Sequence, residues 1–168
     1  MRYKIIKDTY YPKKQELKKR KTVRALVINN NKIALLHIKA FEKDFGERNH
    51  LETPGGGIDE SETPIEALHR ELLEETGFIV KNVKYLTTIA IEYNPINRMD
   101  IGMFYSCELD KDTHTTHRLE YELKLFKSLD WYDLDKIDEI YETFSNEGVN
   151  KQIKERDLLA IHKYLKSR

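Results

Sequence analysis

A glycine-rich turn followed by a capped helix occupies Gly55–Phe78, which reads GGGIDESETPIEALHRELLEETGF. Three consecutive glycines stop any strand before them. Thr63 is placed to cap a helix, the proline after it suits the first helical position, and Glu66 completes a capping box. Gly77 lies where helices commonly end in a left-handed residue. We therefore predict a helix over Pro64–Thr76, directly after a glycine turn.

This helix concentrates acids near its C-terminal end. Glu71 and Glu75 share a face one turn apart, and Glu74 lies beside them. The i,i+4 repulsion costs a few tenths of a kcal/mol, and carboxylates at the negative end of the helix dipole lose about 0.3–1 kcal/mol each. A solvated acidic face is one interpretation. The other is a bound divalent cation, which would reverse both penalties and for which carboxylate oxygens are suitable ligands.

Strand-like and helical patterns are mixed along the rest of the chain, which predicts an α/β (α+β) fold. The runs TVRALVIN and KIALLHI, joined by two asparagines, predict a hairpin over Thr22–Ile38. We expect a loop over Lys39–His50. The other predicted strands cover residues 51–53, 84–93, 99–109 and 129–133, and two helices are predicted from LDKIDEIYETF and KQIKERDLLAIHKYLK. In the first helix, the residues expected to face the core are Ile65, Leu68 and Leu72.

The overall composition excludes several classes of protein. The 168 residues fit one domain over 1–168, and 29 basic residues balance 29 acidic ones, so no global field favours nucleic acid or an anionic membrane. No apolar run approaches the roughly 18 residues of a membrane span. The single cysteine, Cys107, excludes a disulfide within the chain, and a buried, inert thiol is favoured over a nucleophile. A cytoplasmic protein is expected.

One local exception to this balance is a basic run between residues 13 and 24. Its members are Lys13, Lys14, Lys18, Lys19, Arg20, Lys21 and Arg24. Contact with phosphate or RNA is one interpretation. We favour the other, in which residues 1–21 form a solvated and partly mobile N-terminal segment.

The glycine turn and helix resemble a known family signature. With spacing, the stretch is Gly56, five residues, Glu62, seven residues, Arg70-Glu71-Leu72, one residue, Glu74-Glu75, one residue, Gly77-Phe78. This resembles the signature of the Nudix hydrolase family at every defined position. At roughly 7% usage per residue type, chance would produce it on the order of once in a billion starts. The resemblance implies an α/β/α sandwich around a mixed β-sheet.

The resemblance also implies roles for the residues of the signature. Glu74 and Glu75 would be metal ligands, and Glu71 would share the metal or act near the attacking water. The Gly55 carbonyl is a further implied ligand. Arg70 would pair with Glu62, while Gly56 and Gly77 shape the turns. The implied cofactor is Mg²⁺, with Mn²⁺ as the alternative.

Members of the family often use one more acid from outside the signature. The stretch HRLEYELKLF offers Glu120 and Glu122, of which we choose Glu122, although both suit a solvent-facing position. For substrate binding, Tyr93 and Arg98 are candidates on either side of NPIN, and turn chemistry explains Asn94 equally well.

The implied activity is metal-dependent cleavage of the pyrophosphate bond in a nucleoside diphosphate linked to another group. Two alternatives stay open. The first is an RNA-processing, cap-type hydrolase, which the basic run favours and the neutral total charge disfavours. The second is a nucleotide-sensing regulator on the same fold. A small nucleotide is therefore the expected partner, and the two apolar-faced C-terminal helices leave room for a homodimer.

Overall fold

A mixed β-sheet and flanking helices make up the part of the chain that the computed structural model describes, residues 3–168. The strands are β1 (Lys4–Ile6), β2 (Lys18–Asn29), β3 (Lys32–Glu42), β4 (Gly46–Glu52), β5 (Gly55–Gly57), β6 (Phe78–Tyr93), β7 (Arg98–Asp112) and β8 (Phe126–Asp133). The helices are α1 (Pro64–Thr76), α2 (Glu120–Leu125), α3 (Ile137–Glu142) and α4 (Gly148–Leu165). Within these residues, no helix has the length and apolarity needed to cross a membrane.

The strand order is β1-β6-β7-β2-β3-β4, with β5 paired to β2 and β8 paired to β3. Strands β2 and β7 run parallel, and Arg20 lies opposite Asp100 in their register. Strands β6 and β7 are antiparallel, as are β3 and β4. The short β5 adds the glycine turn to the edge of β2, which fixes this turn relative to the centre of the sheet.

Two hydrophobic clusters lie on opposite faces of the sheet, because alternate residues of a strand point to opposite sides. One contains Leu26 and Phe104 with residues of α3 and α4. The other contains Val27 and Cys107 with Leu72 of α1. Helices therefore cover both faces, in agreement with the predicted α/β/α sandwich. The Cys107 thiol is buried, and burial raises its pKa to about 12.

The β2–β3 hairpin is confirmed, and its two turn residues Asn30 and Asn31 both have positive φ. The loop predicted for Lys39–His50 is wrong. Strand β3 continues to Glu42, and β4 begins at Gly46 after a tight turn. Charged side chains are accommodated here because they pair between the strands, as Arg48 does with Glu42 at 3.0 Å.

Two further expectations need correction. Ile65 was expected in the core, but it is 39% exposed. It lies in the first turn of α1, about 160° around the helix from the buried Ala67. The interpretation of residues 1–21 as partly mobile is wrong for Lys4–Ile6, which form β1 and pair with β6, and for Lys18–Lys21, which begin β2 and pair with β7. Met1 and Arg2 lie outside the described residues.

Candidate active site

Helix α1 begins and ends where the sequence predicts. The Thr63 hydroxyl accepts a hydrogen bond from the Glu66 N–H, and the Glu66 carboxylate accepts one from the Thr63 N–H. At the other end, Gly77 adopts a left-handed conformation and its N–H donates to the Leu73 carbonyl. This helix places its acidic C-terminal half beside the glycine turn.

The glycine turn packs directly against two of the acids. The Gly55 N–H donates to the Glu75 carboxylate at 2.8 Å. A Cβ added to Gly56 would lie 2.5 Å from the carboxyl carbon of Glu71. Gly55 has a φ of 141°, and a Cβ added there would clash with the carbonyl oxygen of Val23. Position 55 therefore requires glycine, which lets the backbone N–H reach the Glu75 carboxylate.

Arg70 connects the helix to the loop after the glycines. Its Nε and Nη2 donate to the two Glu62 carboxylate oxygens at 3.0 and 2.5 Å, and Nη2 also donates to the Gly57 carbonyl at 3.0 Å. Nη1 donates to Glu71 at 2.8 Å and to Glu74 at 3.3 Å. The expected Glu62–Arg70 pair is thus present. The hydrogen bonds that Arg70 donates to Glu62 lower the pKa of this carboxyl group to about 2.

The acids differ in their contact with water. Glu75 is buried, and this burial raises its pKa well above the ordinary value. Burial also raises the pKa of Glu71, whereas the Glu74 side chain is partly exposed. Glu71 and Glu75 are poorly solvated and lie beside Glu74. The three carboxylates therefore form a site that favours positive charge.

The donor chemistry at this position fits a hard divalent cation. Every candidate ligand is an oxygen atom, from a carboxylate or from the backbone of the turn, as Mg²⁺ and Mn²⁺ prefer. Among residues 3–168, no three His, Cys, Asp or Glu side chains are already grouped as a metal centre. Instead, Glu71 and Glu74 accept from Arg70 and Glu75 accepts from Gly55. Each of these bonds uses one oxygen of the carboxylate, so a cation would bind the other oxygen of an acid that is already held in place.

An open cleft of about 600 Å³ begins at the acids and the glycine turn. Glu122 lies on its wall, with a buried carboxylate that accepts from the Leu119 N–H at 2.7 Å. Glu120 is exposed and lies 3.4 Å from Lys124. Of the two acids considered outside the signature, the structure thus brings Glu122 to the cleft and leaves Glu120 outside it.

The two candidate substrate residues also line this cleft. Tyr93 is buried, and the Arg98 guanidinium lies 5.6 Å from the centre of its ring. Arg98 contacts Asp100, with 2.7 Å between Nε and Oδ1. Asn94 has a structural position, because its N–H donates to Asp8 and its side-chain amide donates to the Tyr11 carbonyl.

Comparison with known proteins places the chain in a family. Residues 18–152 match the family model described as NUDIX domain. The chain belongs to the Nudix family. Proteins of this family generally use divalent metal ions. Among solved structures, a NUDIX hydrolase from Nitrosomonas europaea superposes with a TM-score of 0.66 at 18% identity, covering 89% of this chain and 90% of that chain. At this identity the likeness shows the Nudix fold.

Curated relatives share shorter segments with this Nudix protein. A protein named RNA pyrophosphohydrolase from Helicobacter pylori is 46% identical over 70 residues, 40% of this chain and 43% of the relative. A protein named 8-oxo-dGTP diphosphatase from Haemophilus influenzae is 43% identical over 51 residues, 30% of this chain and 36% of the relative. The matches thus span less than half the length of these curated relatives.

Sequence reasoning missed a buried set of charges behind the Nudix signature. Arg24 contacts Glu52 at 3.0 Å, and Glu52 also accepts from Arg156 at 3.2 Å. Arg156 contacts Asp157 at 2.7 Å, and the other Asp157 oxygen accepts the Thr53 N–H at 2.7 Å. A signal was present in the sequence, because charged residues 156 and 157 fall within the apolar pattern of the last helix. These contacts tie α4 to the segment that enters the glycine turn.

Proposed function

We propose that this Nudix protein is a hydrolase that cleaves the pyrophosphate bond of a nucleotide derivative and depends on Mg²⁺, or alternatively on Mn²⁺. The observation that supports this most is the packing of the Glu71 and Glu75 carboxylates against the backbone of Gly55 and Gly56. The names of the relatives agree with this reaction, since both describe phosphate anhydride cleavage.

Each residue of the site has a proposed task. Glu71, Glu74 and Glu75 hold the cation, together with the Gly55 carbonyl. When bound, the cation neutralises a diphosphate and lowers the pKa of a water molecule. Arg70 keeps Glu71 in place through its fork-shaped guanidinium. Glu122 presents a carboxylate at the cleft that can accept the proton of the attacking water.

Replacing Glu74 by Gln tests this proposal. The wild-type protein and Glu74→Gln are assayed with Mg²⁺ and with Mn²⁺ on ADP-ribose, oxidised nucleoside triphosphates, dinucleoside polyphosphates, nucleotide sugars and coenzyme derivatives. We expect a nucleoside monophosphate among the products. We also expect a loss of about 100-fold or more in kcat for the variant, since an isosteric amide removes a charged ligand.

The matched control is Glu60→Gln, which changes an exposed acid in the loop before α1. It should retain wild-type rates. Equal activity of wild type and Glu74→Gln on a cleaved substrate would contradict the proposed role of the acids. Absence of cleavage across the whole panel would contradict the proposed reaction.

A second candidate substrate is the phosphorylated 5′ end of RNA, which the name of the Helicobacter relative favours. The exposed lysines at the start of β2 would then contact the RNA backbone. Neutralising Lys18, Lys19 and Lys21 together should weaken RNA binding and reduce the slope of log K against log salt by about 2. An unchanged slope would reject this candidate.

A further inference from the structure

Five arginines line the cleft, and they differ in how their side chains are used. Four of them donate hydrogen bonds to carboxylate or carbonyl oxygens, namely Arg24, Arg48, Arg70 and Arg98. The fifth, Arg20, donates no side-chain hydrogen bond to any residue within 3–168. Within the described residues, Arg20 is therefore the cleft arginine whose charge is left available.

Among residues 3–168, Asp100 is the one acid within 4 Å of the Arg20 guanidinium, and it holds Arg20 weakly. Arg20 Nη1 lies 3.8 Å from Asp100 Oδ2, and that oxygen already accepts from Arg98 Nη2 at 3.1 Å. The Arg20 side chain is 44% exposed, in contrast to 6% for Asp100. A long and exposed contact of this kind contributes little to stability. Fold stability alone thus gives no reason for a guanidinium at this place.

The position of the Arg20 guanidinium relates it to the proposed cation site. A Cβ added to Gly57 would lie 2.6 Å from Arg20 Nη2, and a Cβ added to Gly56 would lie 2.5 Å from the Glu71 carboxyl carbon. Consecutive residues of a strand point to opposite sides, so Arg20 and Glu71 lie on either side of β5, and both side chains line the same cleft. A phosphate chain that extends along the cleft from the acids would therefore approach Arg20.

We propose that Arg20 binds the phosphate chain of the substrate, at the end farther from the acids of α1. This inference rests on the proposed function. A guanidinium presents several donors in a plane and matches the oxygens of a phosphate group better than an ammonium does. Asp100 keeps Arg20 oriented toward the cleft without neutralising it fully, since it shares its charge with Arg98.

Steady-state kinetics on a cleaved substrate test this role. Arg20→Ala should lower kcat/KM by about 10- to 100-fold, mainly through a higher KM, because a charge-assisted hydrogen bond is lost. Arg20→Lys should recover part of the loss. The matched control is Lys84→Ala, which removes the same charge from an exposed position of β6 that does not line the cleft. Identical kinetics for Arg20→Ala and Lys84→Ala would overturn the inference.

A binding experiment separates this inference from the proposed reaction. Imidodiphosphate, which resists hydrolysis, is titrated with Mg²⁺ into wild type, Arg20→Ala and Lys84→Ala by calorimetry. We expect its Kd to rise about 10-fold in Arg20→Ala alone, with an unchanged affinity for Mg²⁺. Equal binding by all three proteins would overturn the role of Arg20, whether or not any substrate of the panel is cleaved.

Discussion

At the scale of single residues, Arg70 makes more polar contacts at the site than any of the acids around it. Its guanidinium reaches Glu62, Gly57, Glu71 and Glu74. The loop, the glycine turn and the acidic face are therefore held by one planar group. A lysine in its place would keep the charge but offer only a point donor on a flexible stem.

We predict that Arg70→Lys lowers kcat/KM by about 10- to 100-fold, the range found when a residue that supports metal ligands is lost. Its affinity for Mg²⁺ should fall as well, because Glu71 and Glu74 lose their common partner. Hydrolysis assays and Mg²⁺ titrations measure the two effects. The control is His69→Ala, which alters the neighbouring exposed residue of the same helix. Wild-type kinetics for Arg70→Lys would contradict the prediction.

At the scale of elements, α4 acts on the site from a distance. The segment that enters the glycine turn is fixed by the bond from the Thr53 N–H to Asp157, and Arg156 is fully buried beside it. Removing one member of a buried ion pair leaves the other charge without compensation. The C-terminal helix thus helps to set the position of Gly55 through Asp157, a side chain that does not line the cleft.

We predict that Asp157→Asn destabilises the protein by about 3–5 kcal/mol. Chemical denaturation measures this change in the free energy of unfolding. The exposed neighbour Glu155 provides the matched control, and Glu155→Gln should change stability by less than about 0.5 kcal/mol. A similar small change for Asp157→Asn would show that the buried network does not hold the segment.

The elements that could be predicted from the sequence are those whose signals lie in neighbouring residues. The bounds of α1 follow from a cap, a proline and a glycine, all within the helix or next to it. The first five residues of strand β4, 46–50, were missed because their support is the pairing of Arg48 and His50 with residues on other elements. Likewise, Glu52 and Arg156 are 104 positions apart, and only the fold brings them together.

At the scale of the whole molecule, proton and metal binding are expected to compete. Burial raises the pKa values of Glu71 and Glu75. A raised pKa stabilises the fold below the ordinary value of 4.5, and this contribution is lost as the pH rises through the raised value. A cation must displace these protons, so its affinity should increase with pH.

We therefore predict that Mg²⁺ raises Tm more at pH 8 than at pH 5. At a concentration 100 times Kd, the stabilisation of about 2.7 kcal/mol corresponds to a rise of about 5–10 °C for a chain of this size. In Glu75→Gln the rise should be small at both pH values. Thermal unfolding with and without Mg²⁺ provides the measurement. An equal rise at both pH values in the wild type would contradict the linkage.

The burial of Cys107 gives this protein a built-in reporter of unfolding. The thiol lies in the cluster beneath α1, and its pKa near 12 leaves almost no reactive thiolate in the folded state. A disulfide reagent should therefore modify the protein only when the sheet opens. The sequence contains a single cysteine. The rate at which the reagent modifies this thiol would therefore report how often the sheet opens around Cys107, and no label would need to be introduced.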